Sequence, residues 1–419
     1  MRKKNNIFKG IDWTLVFMYF LLVSFGWLTI YSASTTQNHY QILDFNVKYG
    51  KQLIRIMLSL VLIVFILFID TKFFERFASL IYVFAVLSLI GLFFFGKTIS
   101  GATSWYVING VSLQPSEFAK AATALAIAKL LSDKQFNLKL IKNQFKAFIL
   151  ILIPVLLIIP QPDPGSALVF FAFVLVLYNE GLPKFYIGIG GSLIILFFLA
   201  LIINKIVLVT GLAILTIIIY FIIRNKRTKF TSFLVLLIAA SSYIFTVDYV
   251  FNHVFEQRHR DRINLLIGKT TDAKGIGYNI HQSIIAIGSG GLYGKGYLKG
   301  TQTKGDFVPE QHTDYIFSII GEEFGFLGSA FIVILFMVFI IRILIISERQ
   351  KNKFSRVYGY GVASIFFIHF TINIGMVLGI IPTIGIPLPF FSYGGSALWG
   401  FTILLFIFIR LDANKYYEW

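Results

Sequence analysis

Cysteine is absent from the 419 residues, which excludes disulfides, thiolate nucleophiles and cysteine-based metal sites. Charge is scarce: 14% of residues are Asp, Glu, Lys or Arg, against about 25% in a soluble domain. Histidine occurs six times, and no His/carboxylate spacing matches a tight zinc site. What fills the chain is hydrocarbon, 57% hydrophobic and 17% aromatic, with a mean hydropathy of +0.78. That balance defines an all-α polytopic membrane protein. Forty-six Phe and five Trp suit lipid-facing and interfacial positions. A net charge of +17 in a soluble chain would point to nucleic acid. Here no basic helix or aromatic platform accompanies it, so nucleic acid is set aside and the charge goes to orienting loops.

A crossing helix needs roughly 20 apolar residues. The pattern predicts about twelve spans, at 11–34, 53–70, 74–96, 115–132, 145–160, 166–181, 185–203, 206–223, 230–250, 314–344, 357–378 and 394–411. The fourth and sixth carry the weakest apolar signal. The short loops 1–9, 71–76, 133–146, 224–229 and 347–356 are basic, while 161–165 and 379–393 hold no Lys or Arg. The positive-inside rule then places both termini in the cytoplasm and the long 251–313 segment outside. The basic 1–9 stretch leads into an apolar run too long for a signal peptide, so an uncleaved first span is expected. The whole chain, 1–419, reads as one integral membrane domain.

Acidic side chains at the mouth of a span are costly unless something uses them. The run Pro309-Glu310-Gln311-His312-Thr313-Asp314 ends where an apolar span begins. Asp314 suits a general base, but it also stands where Thr or Asp would cap a helix. His312 reads as a hydrogen-bonding structural residue. Asp306 and Glu310 are candidate ligands for a loosely held Mg²⁺ or Mn²⁺. Glu117 and Lys120 are three apart on an alanine-rich span, so they share one face and can pair in a cavity. Lys120 is also a candidate phosphate contact, and Asp163 in Gln161-Pro162-Asp163 either lines the cavity or caps the next helix. Arg258 and Arg260 alternate with polar residues in the long segment. They and Lys295 are candidate pyrophosphate or anionic-lipid contacts. The glycines at 275–296 either expose N–H groups for a phosphate or form a linker. Finally, 373–396 has too many prolines for a plain helix and is too apolar for a free loop. It is expected to fold back into the bundle around a cavity.

Five motifs occur in order: Gln114-Pro115-Ser116-Glu117 with Lys120; Gln161-Pro162-Asp163; Gln282-Ser283 with Gly288-Ser289-Gly290-Gly291; the His312-Thr313-Asp314 run; and Gly385-Ile386-Pro387-Leu388-Pro389-Phe390-Phe391-Ser392-Tyr393-Gly394-Gly395-Ser396. Together they resemble the SEDS family (shape, elongation, division and sporulation) over nearly the whole chain. Lys295-Gly296, Gly300-Thr301-Gln302 and Gly385-Ile386-Pro387-Leu388-Pro389 resemble its elongation member more than its division member. The resemblance implies a glycosyltransferase that polymerises lipid II on the outer face of the bacterial plasma membrane during elongation and rod-shape maintenance. It implies a class B penicillin-binding protein as transpeptidase partner, beside other elongation-complex membrane proteins and membrane lipids. It carries the essential aspartate onto Asp314 and the tryptophan after the third span onto Trp105. Gln282, Ser283 and Ser392 fall in the matched motifs as cavity candidates. Thr103-Ser104 replaces the usual basic residue before that tryptophan. The family commonly has ten spans, so an inserted pair is expected within 185–223. A flippase for lipid-linked precursors is the rival activity, and a scaffold that recruits a synthase is a third. Polar motifs clustered on one face favour the enzyme over alternating access.

Overall fold

The computed structural model describes residues 10–35, 44–108, 110–223, 230–269, 277–305 and 307–414. Its helices divide into two compact units, one of residues 1–182 with 278–419 and one of 183–277.

The first unit opens with α1 (Trp13–Ser34), α2 (Lys48–Phe68) and α3 (Thr71–Phe95). Asp12 caps α1 by accepting the Leu15 N–H at 3.1 Å, and Asp70 caps α3 through Lys72 N–H. A three-stranded antiparallel meander follows, β1 (Lys97–Ile99), β2 (Ala102–Ile108) and β3 (Val111–Leu113). Its strands are three to seven residues long, too short to register against the apolar runs beside them, and the sequence reading has no strand there.

α4 (Pro115–Ser132) starts with proline in its first turn, where a missing N–H costs nothing. Its alanines let α3 and the later helices pack closely, and almost every side chain along it is buried. α5 (Ile141–Ile158) leads to two short pieces, α6 (Pro164–Val169) and α7 (Ala172–Asn179).

The second unit holds α8 (Phe185–Ile202), α9 (Lys205–Ile223), α10 (Phe230–His253) and α11 (Gln257–Leu266). Its small core joins Leu201, Leu208, Ile244 and Phe251.

The chain returns to the first unit as α12 (Tyr278–Ser289), α13 (Thr301–Lys304), α14 (Ile316–Glu348), α15 (Lys353–Val377) and α16 (Gly395–Ala413). The long 251–313 segment holds the end of α10 and the helices α11, α12 and α13.

Ten of these helices are long and apolar enough to cross a membrane on those criteria: α1, α2, α3, α5, α8, α9, α10, α14, α15 and α16. The other two expected spans are α4, which carries Glu117, Lys120 and Lys129, and the broken α6–α7 stretch. Of the 373–396 stretch expected to be irregular, 373–377 ends α15 and 395–396 begins α16, while 378–394 is irregular backbone within the bundle, with Ile386, Leu388, Phe390 and Phe391 all buried.

Candidate active site

Asp314 lies two residues before α14 and is partly buried. The capping position belongs to Tyr315, whose side chain makes no capping hydrogen bond. Asp314 is thus not the N-cap, although it stands at the positive end of the helix dipole.

What holds it is the irregular 378–394 segment. Asn373 of α15 donates both amide hydrogens, to Asp314 O at 2.9 Å and Ile386 O at 2.8 Å. Ser392 Oγ donates to Thr313 O at 2.6 Å and accepts from Leu388 N–H at 2.8 Å. Tyr393 N–H donates to His312 O at 2.8 Å, and the Tyr315 and Thr383 hydroxyls meet at 2.7 Å. A Cβ added at Gly385, whose φ is +77°, would sit 3.6 Å from Asp314 Oδ2, so the carboxylate faces this turn. Ser392 and His312 are in this way backbone-fixing residues beside Asp314.

The second polar group lies behind the same turn. Lys120 Nζ is 2.8 Å from Glu117 Oε2 and 2.9 Å from His369 Nε2, all three buried. A lysine ammonium only donates, so His369 Nε2 accepts and its proton sits on Nδ1, facing Pro387 O at 3.2 Å. Lys120 Nζ also lies 4.9 Å from the Phe401 ring. These contacts join Glu117, Lys120 and His369 in one buried chain of hydrogen bonds that ends on the Pro387 carbonyl.

Asp163 caps α6, accepting Ser166 N–H at 3.0 Å and Ser166 Oγ–H at 2.8 Å, and takes Gln114 Nε2 at 2.9 Å. Gly165 packs on Ile384 O, which sets this cluster against the Asp314-facing turn.

The glycine-rich loop has a different use. α14 breaks at Gly325, φ 65° and ψ −158°, which leaves the Glu322 and Glu323 carbonyls without their intrahelical donors. Lys295 and Gly296 N–H groups fill those places at 3.0 and 2.9 Å. In return Phe326 and Leu327 N–H donate to Gly291 O and Leu292 O. The approach is so close that a Cβ on Gly294 would sit 2.2 Å from Glu323 O. The phosphate cradle expected here is a backbone joint that sets the direction of the half-helix behind Asp314.

Lys295, expected at a pyrophosphate, pairs at 2.7 Å with Glu322, which is fully buried. The same carboxylate accepts the Thr301, Gln302 and Thr303 N–H groups and so caps α13. Glu323 accepts from Ser32 Oγ. Nearby, burial and the Glu323 charge push the Tyr297 phenol up to about 12, which keeps it a donor to Leu28 O at 3.1 Å.

The remaining candidates are placed as follows. Trp105 stands on β2 in register with Lys97. Ser283 anchors α12 to α15 through Val377 O at 3.0 Å, and Gln282 beside it is half-buried. Arg260 donates to Asn252 O and Gln257 Oε1 within the second unit. Arg258 is on α11, and its side chain is outside the described residues. Asp306 also lies outside them. Glu310 is exposed and accepts from Thr313 Oγ1 at 3.1 Å. Among the described residues no three His, Asp or Glu side chains gather as a cation site.

Sequence reasoning passed over His369, Asn373, Glu322 and Glu323. Each is a polar residue inside an apolar helical run, and that alone was the signal.

The fold and this polar site define a polytopic membrane protein with a carboxylate, Asp314, at the end of a half-helix. The pattern of the cell cycle protein family FtsW/RodA/SpoVE matches residues 12–234 and 190–417, and the chain belongs to that family. The two matches overlap at 190–234, which takes in most of the 185–223 stretch expected to hold an inserted pair of spans. The chain is 34% identical to the Escherichia coli K12 peptidoglycan glycosyltransferase MrdB, across 93% of this chain and 90% of that one. It is 30% identical to the Treponema pallidum peptidoglycan glycosyltransferase RodA, across 96% and 98%. Among solved structures, a peptidoglycan synthase complex that coordinates polymerization and crosslinking contains a chain matching with a TM-score of 0.70 at 24% identity, over 97% of this chain and 99% of that chain. The Thermus thermophilus rod shape determining protein RodA matches with a TM-score of 0.63 at 23% identity, over 97% and 98%. At those identities the structural matches speak to fold alone.

Proposed function

We propose that this chain is a peptidoglycan glycosyltransferase of the elongation type that polymerises lipid II, with Asp314 as general base. One observation carries the assignment of Asp314. The N-cap position of α14 falls one residue later, at Tyr315, Asn373 holds the Asp314 carbonyl, and the Asp314 carboxylate stands beside the Gly385 turn. The 4-hydroxyl of the acceptor sugar attacks the anomeric carbon of the donor. Asp314 takes the hydroxyl proton as the new glycosidic bond forms, and the bond to the lipid pyrophosphate breaks with its electron pair. Buried supports of this kind hold the base without reorganisation during the reaction.

The active face is assigned to the outside and both termini to the cytoplasm, on the basic short loops. A class B penicillin-binding protein is the assigned partner, on the family resemblance of the motifs, and the solved synthase complex that coordinates polymerization with crosslinking is compatible with such a pairing. The test is polymer formation from lipid II in liposomes with the partner present. Asp314→Ala and Asp314→Asn should each lower it by at least about 100-fold. Undiminished polymer in both variants would sink the assignment.

A further inference from the structure

Arg55 is a charged residue two turns inside the apolar helix α2, about 10 Å along the axis from Lys48 at 1.5 Å per residue. A guanidinium at that depth is costly and calls for a partner. No described carboxylate lies within ion-pair distance of it. It has instead one contact to Gln52 Oε1 at 3.3 Å and the face of Tyr393 at 4.2 Å from the ring centre. Gln52 Oε1 also accepts Gly394 N–H at 3.2 Å, so it is shared, and among the described residues most of the guanidinium's five donors have no hydrogen-bond partner. The stem is fixed as well. Trp399 Nε1 donates to Arg55 O at 3.0 Å, and a Cβ at Gly395 would stand 3.3 Å from Arg55 Cδ.

Two further cations point the same way. Lys48, Lys51 and Arg55 follow the three- and four-residue spacing that puts them on one face of α2. Both lysines are exposed, and no described carboxylate pairs with either. The nearby Asp44 carboxylate accepts the Asn46 N–H. This makes a cationic ladder that descends into the span and ends on Tyr393. The Tyr393 N–H is bonded to His312 O, two residues from Asp314.

We infer that Lys48, Lys51 and Arg55 bind the phosphate group of a membrane lipid and deliver it beside Asp314, with Tyr393 holding the Arg55 guanidinium in place. An arginine fork matches phosphate oxygens in pairs, and a ring under its plane pre-sets it without competing for the anion. The lysines meet the headgroup at the membrane surface and Arg55 receives it at the site. This rests on the glycosyltransferase reading for one point only, that the physiological lipid carries a sugar-linked pyrophosphate.

The test uses the full-length chain in phosphatidylcholine nanodiscs, on an Asp314→Asn background so that bound lipid II is not consumed. Arg55→Gln should weaken lipid II binding about tenfold, the equivalent of one lost charge-assisted contact, and Arg55→Lys by less. A second arm replaces lipid II with phosphatidylglycerol. An equal loss there identifies an ordinary phospholipid as occupant and supports the phosphate site. A loss confined to lipid II supports it with the pyrophosphate as source. Unchanged affinity in both arms overturns it. Should Arg55→Gln fail to fold, Lys48→Gln with Lys51→Gln changes only exposed positions. Weaker binding then supports the ladder and no change overturns it. Because the readout is binding, absence of polymerisation in the unmodified chain would defeat the enzymatic reading and leave this result standing.

Discussion

α15 and α16 bury 72% and 83% of their membrane-spanning windows inside the protein, whereas α8 and α9 bury 6% each and α10 11%. By hydropathy α8 and α9 are the better spans of the two sets. The polar residues of consequence follow burial and not hydropathy: His369 and Asn373 lie on α15, and Glu117 and Lys120 on α4, which is too polar to rank as a span. Helices that spend their surface on lipid have none left for holding polar groups, and helices that hold polar groups need small residues so that neighbours can close around them. A helix that looks poor as a span is therefore where function should be sought.

The largest test of that contrast is the buried pair. Lys120→Met leaves the Glu117 carboxylate without its cation, and the protein should lose about 3–5 kcal/mol of stability. Removing both charges together, as Glu117→Gln with Lys120→Met, should return most of that loss. Detergent unfolding curves would measure both. Equal loss in the single and double variants would mean that the pair is not the unit of stability and would break the contrast at its strongest point.

Asn373→Ala comes next. It strips the donors from two carbonyls, Asp314 O and Ile386 O, at a cost of about 1–3 kcal/mol. Its effect on polymerisation should exceed its effect on stability. Displacement of the proposed base by about 1 Å can cost on the order of 100-fold in rate. A rate loss no larger than the drop in folded protein would remove Asn373 from the positioning machinery.

These expectations also mark where sequence stopped being informative. Asp314 and the irregular turn were legible because a carboxylate at the mouth of a span and three prolines in an apolar run both violate local rules. The His369 contact was not, because its partner Lys120 lies 249 residues away and nothing local requires a histidine there. The glycine loop was misread for a different reason. Glycine both exposes N–H groups and admits close backbone approach, and only the break at Gly325 tells which is in use. Asp163 allowed both a capping and a cavity-lining reading, and as the N-cap of α6 it does cap.

At the far ends of α1, α14 and α16, charge is again held by geometry. Asp12 accepts from Arg342 at 2.6 Å and sits 3.4 Å from Arg349, which also pairs with Asp412 at 2.8 Å. Burial works to raise the Asp12 pKa, but the Arg342 hydrogen bond, the Leu15 N–H and the two arginine charges outweigh it and hold it below the ordinary carboxylate value. A depressed folded value means that the stabilisation is complete above the unfolded pKa and is lost as pH falls through the folded one. Asp12→Asn should therefore cost about 1.5 kcal/mol near neutral pH, with the gap from the unmodified protein closing in acid. A gap that stays constant across that range would assign the loss to packing.

The smallest effect is expected in the second unit. Lys205 and Asp248 join α9 to α10 at 2.7 Å, the shortest ion-pair distance in that unit among the described residues, yet their side chains are 44% and 35% exposed. Distance alone would rank this pair with Lys120–Glu117 at 2.8 Å, whose side chains are 2% and 3% exposed. Exposure reverses the ranking. Charges that stay solvated lose little when parted, and an exposed pair is worth about 0–1 kcal/mol. Lys205→Gln and Asp248→Asn should each shift stability by less than that and leave polymer yield unchanged. Yield in nanodiscs, read at low and high salt, decides the matter. If either variant lowers polymer as Asn373→Ala does, the lipid-covered helices take part in the chemistry, and burial no longer separates the working half of the molecule from the rest.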